Sequence, residues 1–455
     1  MNYTRRHFSE LTLSGLAAAA LPVAAQVPGQ RPAARPDNVT VVNPRTRVPV
    51  ALMIDDSTCL VNLAHFCIPQ FAEVFPDRYK QPWRTMPREI PDSFVRKFGE
   101  WCIENGVKGK YSIVPNPACV GWMDREVPGW TRRQLEDSLK LVRSTIMPNW
   151  DIHPEMVTHT WVIDTKTGRP YEERSERYME NFGWSIGKSA DELTNYLSYA
   201  LRILKNAGLH CEGITTPGGF GGRVLPELSQ AVLQSCRDVH GTEIPHYFRH
   251  AFLDSRSVAP RVENASGLDG NDPRCVVSII GCTSDWFGGW DAVEEGDVNL
   301  MVTPDLKSGR MLDVIRRGEP AVMYCHWPGI YFNGTESGFN IIKEVTRRLH
   351  AAHDNLLWMK LSELARYWAA KELTTVSAAS TGVAFKAPYA CPEFTVKVSK
   401  AAVGGAGPVL RAGGEQTRLR EVSNPLQLKG PSWARQGSDV IACFDLPKGN
   451  STLEL

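Results

Sequence analysis

The chain has 455 residues, of which 42% are hydrophobic and 22% are charged, and its formal net charge is +1. This length allows two or three domains, and the near-neutral charge excludes the strongly basic proteins that bind nucleic acids or anionic membrane surfaces. After the N-terminal leader no segment has about 18 uninterrupted apolar residues, so we expect no membrane span.

The N-terminus has the features of an export signal. In "TRRHF", Arg5 and Arg6 form a twin-arginine pair, and the short apolar stretch "LTLSGLAAAALPVAA" ends in small residues that suit cleavage after Ala25. We therefore predict a twin-arginine signal peptide over residues 1–25 and a Pro- and Arg-rich linker over 26–46. The alternative, an ordinary secretory signal, would also place the protein in the periplasm or outside the cell.

Strand and helix patterns alternate from residue 47 to residue 373. The stretch "SADELTNYLSYALRILKNAG" starts with the capping box formed by Ser189 and Glu192 and continues as an amphipathic helix. Short apolar strands precede and follow such helices, an order typical of an α/β fold with a mostly parallel sheet. Residues 374–455 show only strand-like alternation, as in "EFTVKVS" and "SDVIACFDL", and are expected to form a small accessory β domain.

The eleven cysteines are scattered and include no CxxC pair. Many of them are expected to be buried thiols. Cys391 and Cys443 bracket the C-terminal β segment, and the sequence leaves open whether they form a disulfide.

Chemically reactive side chains follow several of the predicted strands. The residues at these strand ends are Asp55 and Asp56 after "VALMI", His159 after "EMVT", Thr216, Pro217 and Gly218 after "CEGI", Asp285 and Trp286 after "CVVSIIGCTS", and His326 and Trp327 after "AVMYC". The carboxyl ends of parallel strands meet at one edge of a sheet, so these residues are expected to converge there. Each has a structural alternative, such as a turn or cap for the aspartates, but their convergence favours a functional site.

This combination of residue types suits hydrolysis of an amide or ester. A carboxylate and an imidazole can hold a divalent metal ion. An adjacent free carboxylate can accept a proton from water, and a second histidine can protonate a leaving amine. Backbone N–H groups of a Gly-rich turn can stabilise an oxyanion.

The order of these segments resembles the polysaccharide deacetylase superfamily, which includes carbohydrate esterase family 4 and its chitooligosaccharide deacetylase domain. "MIDDST" is similar to the first motif of that family, "EMVTHTWVID" to the second, "GITTPGGF" to the third, "SDW" to the fourth and "VMYCHW" to the fifth. The similarity covers roughly residues 50–370. It implies a distorted seven-stranded (β/α) barrel, followed here by the small C-terminal all-β domain.

The resemblance also implies roles for individual residues. Asp55 would be the general base, Asp56 and His159 metal ligands, and His326 the general acid, with Asp285 orienting His326. The neighbouring Thr216, Pro217, Gly218, Trp286 and Trp327 are then candidates for substrate contacts. The metal would be Zn²⁺, or Mn²⁺, Co²⁺ or Mg²⁺.

The sequence departs from the family pattern at four points, one of which is an insertion between Pro217 and Asp285. The second motif of the family has another histidine four residues after the first, but here that position is Ile163, and the third motif lacks its arginine. The chain between Asp56 and His159 is also longer than is usual in the family. Asp164 is the nearest replacement ligand in sequence, with a solvated turn acid as its alternative.

Three histidines are further candidates for the missing ligand. In "HYFRH", His246 and His250 have the i, i+4 spacing of ligands on a helix, with a surface helix or loop as the alternative. His153, just before the second motif, is the third.

We conclude that the sequence predicts an exported, metal-dependent hydrolase that removes an acyl group from a carbohydrate or another small N- or O-acyl compound. Two alternatives stay open. One is a metal-free, glycan-binding member of the same fold, and the other is a glycosidase that uses Asp55 and Asp285 as paired acids.

Overall fold

We analysed a computed structural model of the chain, and it describes residues 27–404 and 407–455. The predicted signal peptide, with Arg5 and Arg6, lies outside the described residues. Within the described ranges, no helix combines the length and apolarity that a bilayer crossing requires.

A parallel sheet lies at the centre of the 47–373 region. Its strand order is β11-β2-β3-β4, with β12 also paired to β2. The strands are β2 (Val48–Asp55), β3 (Gly109–Ile113), β4 (Trp150–Pro154), β11 (Ala321–His326) and β12 (Leu356–Trp358). Alternate residues of β2 are buried on opposite faces: Leu52 and Ile54 join one core cluster, while Ala51 and Met53 join another. Burial of both faces explains the continuous apolar run in the sequence.

A second sheet has the order β7-β8-β10-β9, in which β7, β8 and β10 are parallel and β9 is an antiparallel edge. Its strands are β7 (Gly213–Thr215), β8 (His246–Ala251), β9 (Arg261–Ser266) and β10 (Arg274–Gly281). An isolated parallel bridge between Glu155 and Thr215 connects β4 to β7. On the other side, the backbone N–H of Cys282 donates to the carbonyl of Val322 at 2.7 Å. The α/β prediction is therefore confirmed, whereas the described pairing forms two linked sheets and no continuous closed barrel.

Helices separate most of the parallel strands along the chain, as the alternation predicts; β8 and β10 are separated by β9 alone. The helices are α1 (Leu63–Val74), α2 (Asp92–Glu104), α3 (Arg132–Leu141), α4 (Ala190–Asn206), α5 (Leu225–His240), α6 (Arg310–Arg316), α7 (Trp327–Tyr331), α8 (Ser337–Ala352) and α9 (Leu361–Leu373). The capping box at the start of α4 is confirmed, because the Ser189 side chain accepts from the Glu192 N–H and Glu192 accepts from the Ser189 N–H. A two-stranded hairpin, β5 (Ile163–Asp164) and β6 (Arg169–Pro170), precedes α4.

The C-terminal region consists of strands in two five-stranded sheets, of order β1-β15-β20-β19-β18 and β13-β14-β21-β16-β17. These strands are β13 (Thr375–Ala379), β14 (Gly382–Ala387), β15 (Cys391–Val398), β16 (Val409–Ala412), β17 (Glu415–Arg418), β18 (Arg420–Glu421), β19 (Ser432–Gln436), β20 (Asp439–Leu446) and β21 (Gly449–Glu454). Part of the linker predicted over residues 26–46 is a strand: β1 (Val39–Val41) pairs antiparallel with β15. The β-branched residues of "VTVV" favour that strand.

All eleven cysteines lie in the described ranges, and each one is a free thiol. Cys391 pairs across the ladder with Leu446, and Cys443 pairs with Thr395, so the two thiols do not face each other. Cys391 and Cys443 are therefore free thiols and do not form a disulfide.

The two regions share a hydrophobic core. Tyr367 and Leu373 of α9 belong to the same buried cluster as Phe385, Phe394 and Phe444 of the C-terminal strands. The Tyr367 hydroxyl donates to the carbonyl of Val42 at 2.6 Å and accepts from the Thr395 N–H at 3.3 Å. The contact between the regions is thus apolar and hydrogen-bonded.

Truncation after Leu373 should destabilise the remaining chain. It would expose the apolar face of α9 and remove the partner strand of β1, and exposed patches of this kind promote aggregation. We expect a lower thermal midpoint and a larger aggregated fraction, measured by calorimetry and size-exclusion chromatography. A truncated chain as stable as the full one would show that each region has an independent core.

Candidate functional site

The predicted strand-end residues meet at one edge of the first sheet. Asp55 is the last residue of β2 and His326 the last of β11, and the two are direct neighbours in the parallel register. Glu155 follows β4 and bridges to Thr215 at the end of β7. Parallel strands present their carboxyl ends together, which explains why side chains so distant in sequence converge.

Asp56, Glu155 and His159 form a compact triad. His159 Nε2 lies 2.7 Å from Asp56 Oδ1 and 3.4 Å from Glu155 Oε1, and the side chains of Asp56, Glu155 and His159 are 2%, 2% and 7% exposed. The Asp56 N–H donates to Glu155 Oε2 at 2.8 Å. Asp56 and His159 have φ values of +60° and +66°. Such strained backbone in non-glycine residues is concentrated at functional sites.

The triad fits a divalent metal ion. Asp56 Oδ1 is fully buried and lies 2.7 Å from His159 Nε2, and it has no other partner among the described residues. One ligand atom from each triad residue falls within a 4.8 Å cluster. Two carboxylates and one imidazole suit Zn²⁺, Mn²⁺ or Co²⁺ and would balance a double positive charge.

Glu155 occupies the place that the sequence analysis assigned to Asp164. Asp164 lies on the β5–β6 hairpin, where its Oδ1 accepts from the Lys166 N–H at 2.9 Å, and it is not part of the triad. The sequence carried a signal for Glu155, because this residue directly follows the β4 strand and stands four residues before His159. The second motif of the resembled family has its second histidine after the first, whereas Glu155 stands before His159.

The loop that carries His159 is held by a buried carboxylate. Glu180 accepts hydrogen bonds from the backbone N–H groups of Val157, Thr158 and His159 at 3.1, 3.1 and 2.6 Å. Burial raises the pKa of Glu180 to about 7, against these hydrogen bonds, which lower it. Burial lowers the pKa of His159, but the Asp56 carboxylate and the other neighbours raise it well above its usual value.

Asp55 pairs with a buried lysine. The Lys110 ammonium is fully buried and donates to the Asp55 carboxylate, to the Ile54 carbonyl at 3.0 Å and to Ser112 Oγ at 2.9 Å. Burial and the charge of Glu155 raise the pKa of Asp55 to about 7, although Lys110 lowers it. The sequence analysis missed Lys110. The alternation of "GKYSI" places Lys110 and Ser112 on the same face of β3, and this was the available signal.

His326 lies between an acid and a phenol. Its Nδ1 is hydrogen-bonded to the Asp285 carboxylate, and its Nε2 lies 2.8 Å from the Tyr324 hydroxyl. Burial lowers the pKa of His326, but the carboxylates of Asp56, Asp285 and Asp55 raise it by more. The net effect is a pKa of about 9. His326 therefore carries a proton at neutral pH and can donate it.

Replacing Asp285 with asparagine should lower the pKa of His326 by about one unit or more, because a nearby carboxylate stabilises the imidazolium ion. The protonated form then disappears at a lower pH than in the parent protein. The measurement is a pH titration of the His326 ring followed by NMR. Asp297→Asn serves as a control, because Asp297 caps a short helix through the Asn299 N–H. An unchanged His326 titration would contradict the pairing.

The predicted substrate-binding residues fall into two groups. Thr216 is buried at the site edge, where its hydroxyl donates to the Phe248 carbonyl at 3.2 Å, and Pro217 and Gly218 follow it in the Gly-rich turn. Trp286 is half-buried beside Asp285. Trp327 is fully buried and packs against Phe98 and Tyr111, with ring centroids 5.2 and 5.1 Å away. Trp327 is thus a core residue.

An aromatic cover lies over one side of the triad. It consists of Phe71, Tyr79, Phe182 and Trp290. Phe71, on α1, is central: its ring centroid lies 6.4 Å from His159, 5.0 Å from Tyr79 and 6.0 Å from Trp290. Phe71 and Tyr79 come from the long segment between Asp56 and His159, and Phe182 and Trp290 come from later segments of the chain. These rings pack together beside His159.

A second histidine group lies deeper between the sheets. His153 Nε2 is 2.9 Å from His246 Nε2, which is 3.8 Å from Asp151 Oδ2. Both oxygens of Asp151 accept from Ser362, at 2.6 and 2.8 Å. Burial lowers the pKa of His246 to about 4 and that of His153 well below its usual value. The two imidazoles are therefore neutral and hydrogen-bonded, and Asp151, whose pKa burial raises to about 6, completes a second group with the spacing of a metal-ligand set.

The prediction of a helix or loop for "HYFRH" is wrong. His246 and His250 lie on strand β8, and a register shift beside β10 falls between Phe248 and His250. The buried β-sheet environment overrides the helical spacing.

Among known proteins, the chain has matches to solved structures only. No family model and no curated protein matches the chain. Similar solved structures include a deacetylase with substrate (10% identity, 71% of this chain, 93% of that chain, TM-score 0.32). They also include a CE4 family pseudoenzyme from Bacillus anthracis (12% identity, 72% and 68%, TM-score 0.29) and an allantoinase (11% identity, 72% and 91%, TM-score 0.37). The family that the motif order resembles is represented among these structures. At TM-scores below 0.5 the likeness says nothing about the activity of this chain.

Proposed function

We propose that the protein is a metal-dependent hydrolase that removes an acyl group from a carbohydrate or another small N- or O-acyl compound. The observation that carries this proposal is the buried triad beside two proton-transfer groups, Asp55 and His326, at one sheet edge. Seven of the parallel strands, β2, β3, β4, β7, β8, β10 and β11, would act as a distorted barrel that presents this edge.

Asp56, Glu155 and His159 would hold the metal ion. When bound there, a divalent ion would polarise the acyl oxygen and acidify water. Asp55, whose pKa is raised to about 7, would accept the proton from the attacking water. Lys110 would hold the Asp55 carboxylate in place through a buried ion pair.

His326 would donate a proton to the leaving nitrogen or oxygen. The Asp285 carboxylate fixes the ring through Nδ1, so that the Nε2 side faces the site, where the Tyr324 hydroxyl also lies. Because Asp55 and Asp285 are each paired with a cation, they are poorly suited to act as the two carboxylic acids of a glycosidase.

The aromatic cover supports a small substrate, since its rings pack together beside His159. We further infer export by the twin-arginine route to the periplasm or beyond, on the strength of the N-terminal sequence. The C-terminal β region would be an accessory unit with a stabilising role, because it shares a core with α9.

The test combines metal analysis with a product assay. Purified protein should contain close to one divalent ion per chain, lose activity with EDTA and regain it with Zn²⁺, Mn²⁺ or Co²⁺. Acetate and reducing sugar should be measured separately with acetylated mono- and oligosaccharides. Acetate release without new reducing ends supports the proposal. Reducing ends without acetate indicate a glycosidase, and binding without either product indicates a glycan-binding protein.

A further inference from the structure

Arg249 is a guanidinium without an acidic partner. No hydrogen bond or ion pair of its side chain occurs among the described residues, and its Nε is buried without a partner. Burial lowers the pKa of Arg249, whereas the nearby phenols of Tyr324 and Tyr247 raise it. The residue is half-buried, and a guanidinium partly withdrawn from water without a carboxylate gains from a ligand that compensates its charge.

Arg249 stands at the edge of the proposed active site. It lies between Phe248 and His250, at the register shift of β8. The Phe248 carbonyl accepts from the hydroxyl of Thr216, and the Phe248 ring lies 5.2 Å from the ring of Tyr324, the residue that contacts His326. Phe248, the residue before Arg249, thus contacts Thr216 in the Gly-rich turn and packs against Tyr324, which contacts His326.

The Gly-rich turn makes room for the guanidinium. A Cβ atom built on Gly222 would lie 2.5 Å from Arg249 Nη2 and 3.3 Å from its Cζ. Gly222 has no backbone conformation that requires glycine, so the close approach of Arg249 is the feature that a side chain would disturb. The Gly-rich loop after β7 and the Arg249 side chain therefore pack against each other at the edge of the proposed active site.

The other cations of the site have acidic partners. Lys110 pairs with Asp55 and His326 pairs with Asp285, and a divalent ion would neutralise Asp56 and Glu155. Arg249 has no acidic partner among the described residues. A guanidinium presents a planar fork that matches a carboxylate, and one carboxylate supplies a single negative charge.

We propose that Arg249 binds a carboxylate of the substrate, so that the site selects small acyl compounds that carry an acid group. This inference rests on the proposed function, because it takes the edge around His326 to be the substrate site. It goes further in naming the class of substrate and the residue that selects it.

The test uses three sugars that differ at one position. N-acetylglucosaminuronic acid carries a carboxylate there, N-acetylglucosamine 6-phosphate carries a phosphate, and N-acetylglucosamine carries a neutral hydroxymethyl group. Binding is measured by calorimetry with metal-loaded Asp55→Asn protein, in which hydrolysis is suppressed. Acetate release is measured with the parent protein.

Four further variants are compared in the same Asp55→Asn background. Arg249→Met removes the charge, and Arg249→Lys keeps the charge but loses the fork. Gly222→Ala keeps Arg249 and displaces its guanidinium. Arg256→Met is the control, because Arg256 is half-exposed and pairs with Asp254 at 2.9 Å. Thermal midpoints show whether each variant is folded.

We expect the uronic acid to bind at least about tenfold more tightly than the neutral sugar. This preference should vanish in Arg249→Met, weaken in Arg249→Lys and Gly222→Ala, and persist in Arg256→Met. Equal binding of all three sugars, a preference for the phosphate, or a preference that survives Arg249→Met would overturn the inference.

The binding arm separates this inference from the proposed function. If the uronic acid binds through Arg249 but no acetate is released, the inference stands and the hydrolase assignment fails. If acetate is released equally from the acidic and neutral sugars, and they bind equally, the hydrolase assignment stands and the inference fails.

Discussion

Replacing Asp55 with asparagine is expected to leave metal affinity unchanged and to slow acyl hydrolysis by about 10²–10⁴-fold, the usual contribution of a general base. Asparagine has the same shape as aspartate but cannot accept a proton from water. Asp55 is not in the triad, so the ligands remain intact. Metal content by elemental analysis and kcat/KM for acetate release are the two measurements.

The Asp55→Asn variant should also lose stability, because the buried Lys110 ammonium loses its counter-charge. Breaking a buried ion pair in this way costs about 3–5 kcal/mol. A companion variant with both Asp55→Asn and Lys110→Met should recover part of this stability without recovering activity. Activity close to that of the parent in either variant would remove Asp55 from the role of base.

Replacing Glu155 with glutamine should weaken metal affinity by at least about tenfold, since even supporting residues of metal sites commonly contribute 10- to 100-fold. The glutamine oxygen can still accept the hydrogen bond from the Asp56 N–H, so the loop should keep its conformation. The loss would then reflect the ligand itself. Affinity is measured by competition with a metal-chelating dye.

Asp164→Asn is the matched control for Glu155→Gln. Both changes remove one carboxylate charge from the segment around His159, but Asp164 lies on the β5–β6 hairpin and binds the Lys166 N–H. We expect its metal affinity to match that of the parent. If Asp164→Asn weakens binding and Glu155→Gln does not, the third ligand is Asp164 and the triad is misassigned.

The local pattern of the sequence was sufficient for several elements. The apolar run before Asp55 predicted a strand buried on both faces, and the Ser189 capping box predicted the start of α4. Both are short-range signals, since side-chain periodicity and capping depend on neighbours within a few residues. The meeting of Asp55, Asp56, His159, Asp285 and His326 also followed from strand order, because parallel strands end at the same edge.

Other features depended on contacts between distant segments. No local pattern could show that Lys110 pairs with Asp55, that β1 joins the C-terminal strands, or that "HYFRH" forms a strand. The position of Glu155 in the triad, rather than Asp164, depends on the segment after β4, in which His159 adopts a positive φ, and on the contact of Glu155 with Asp56, which follows β2.

The sequence by itself thus determined the α/β class and the group of residues at the strand ends, because these follow from periodicity and chain order. Only the tertiary structure decided which carboxylate completes the triad, which cation faces Asp55 and which guanidinium has no partner. Those outcomes depend on the pairing of side chains that are up to about a hundred residues apart in the chain, such as Asp56 and Glu155, which are separated by 99 positions. Burial sets their energies, since a charge removed from water must find a partner wherever the fold places one.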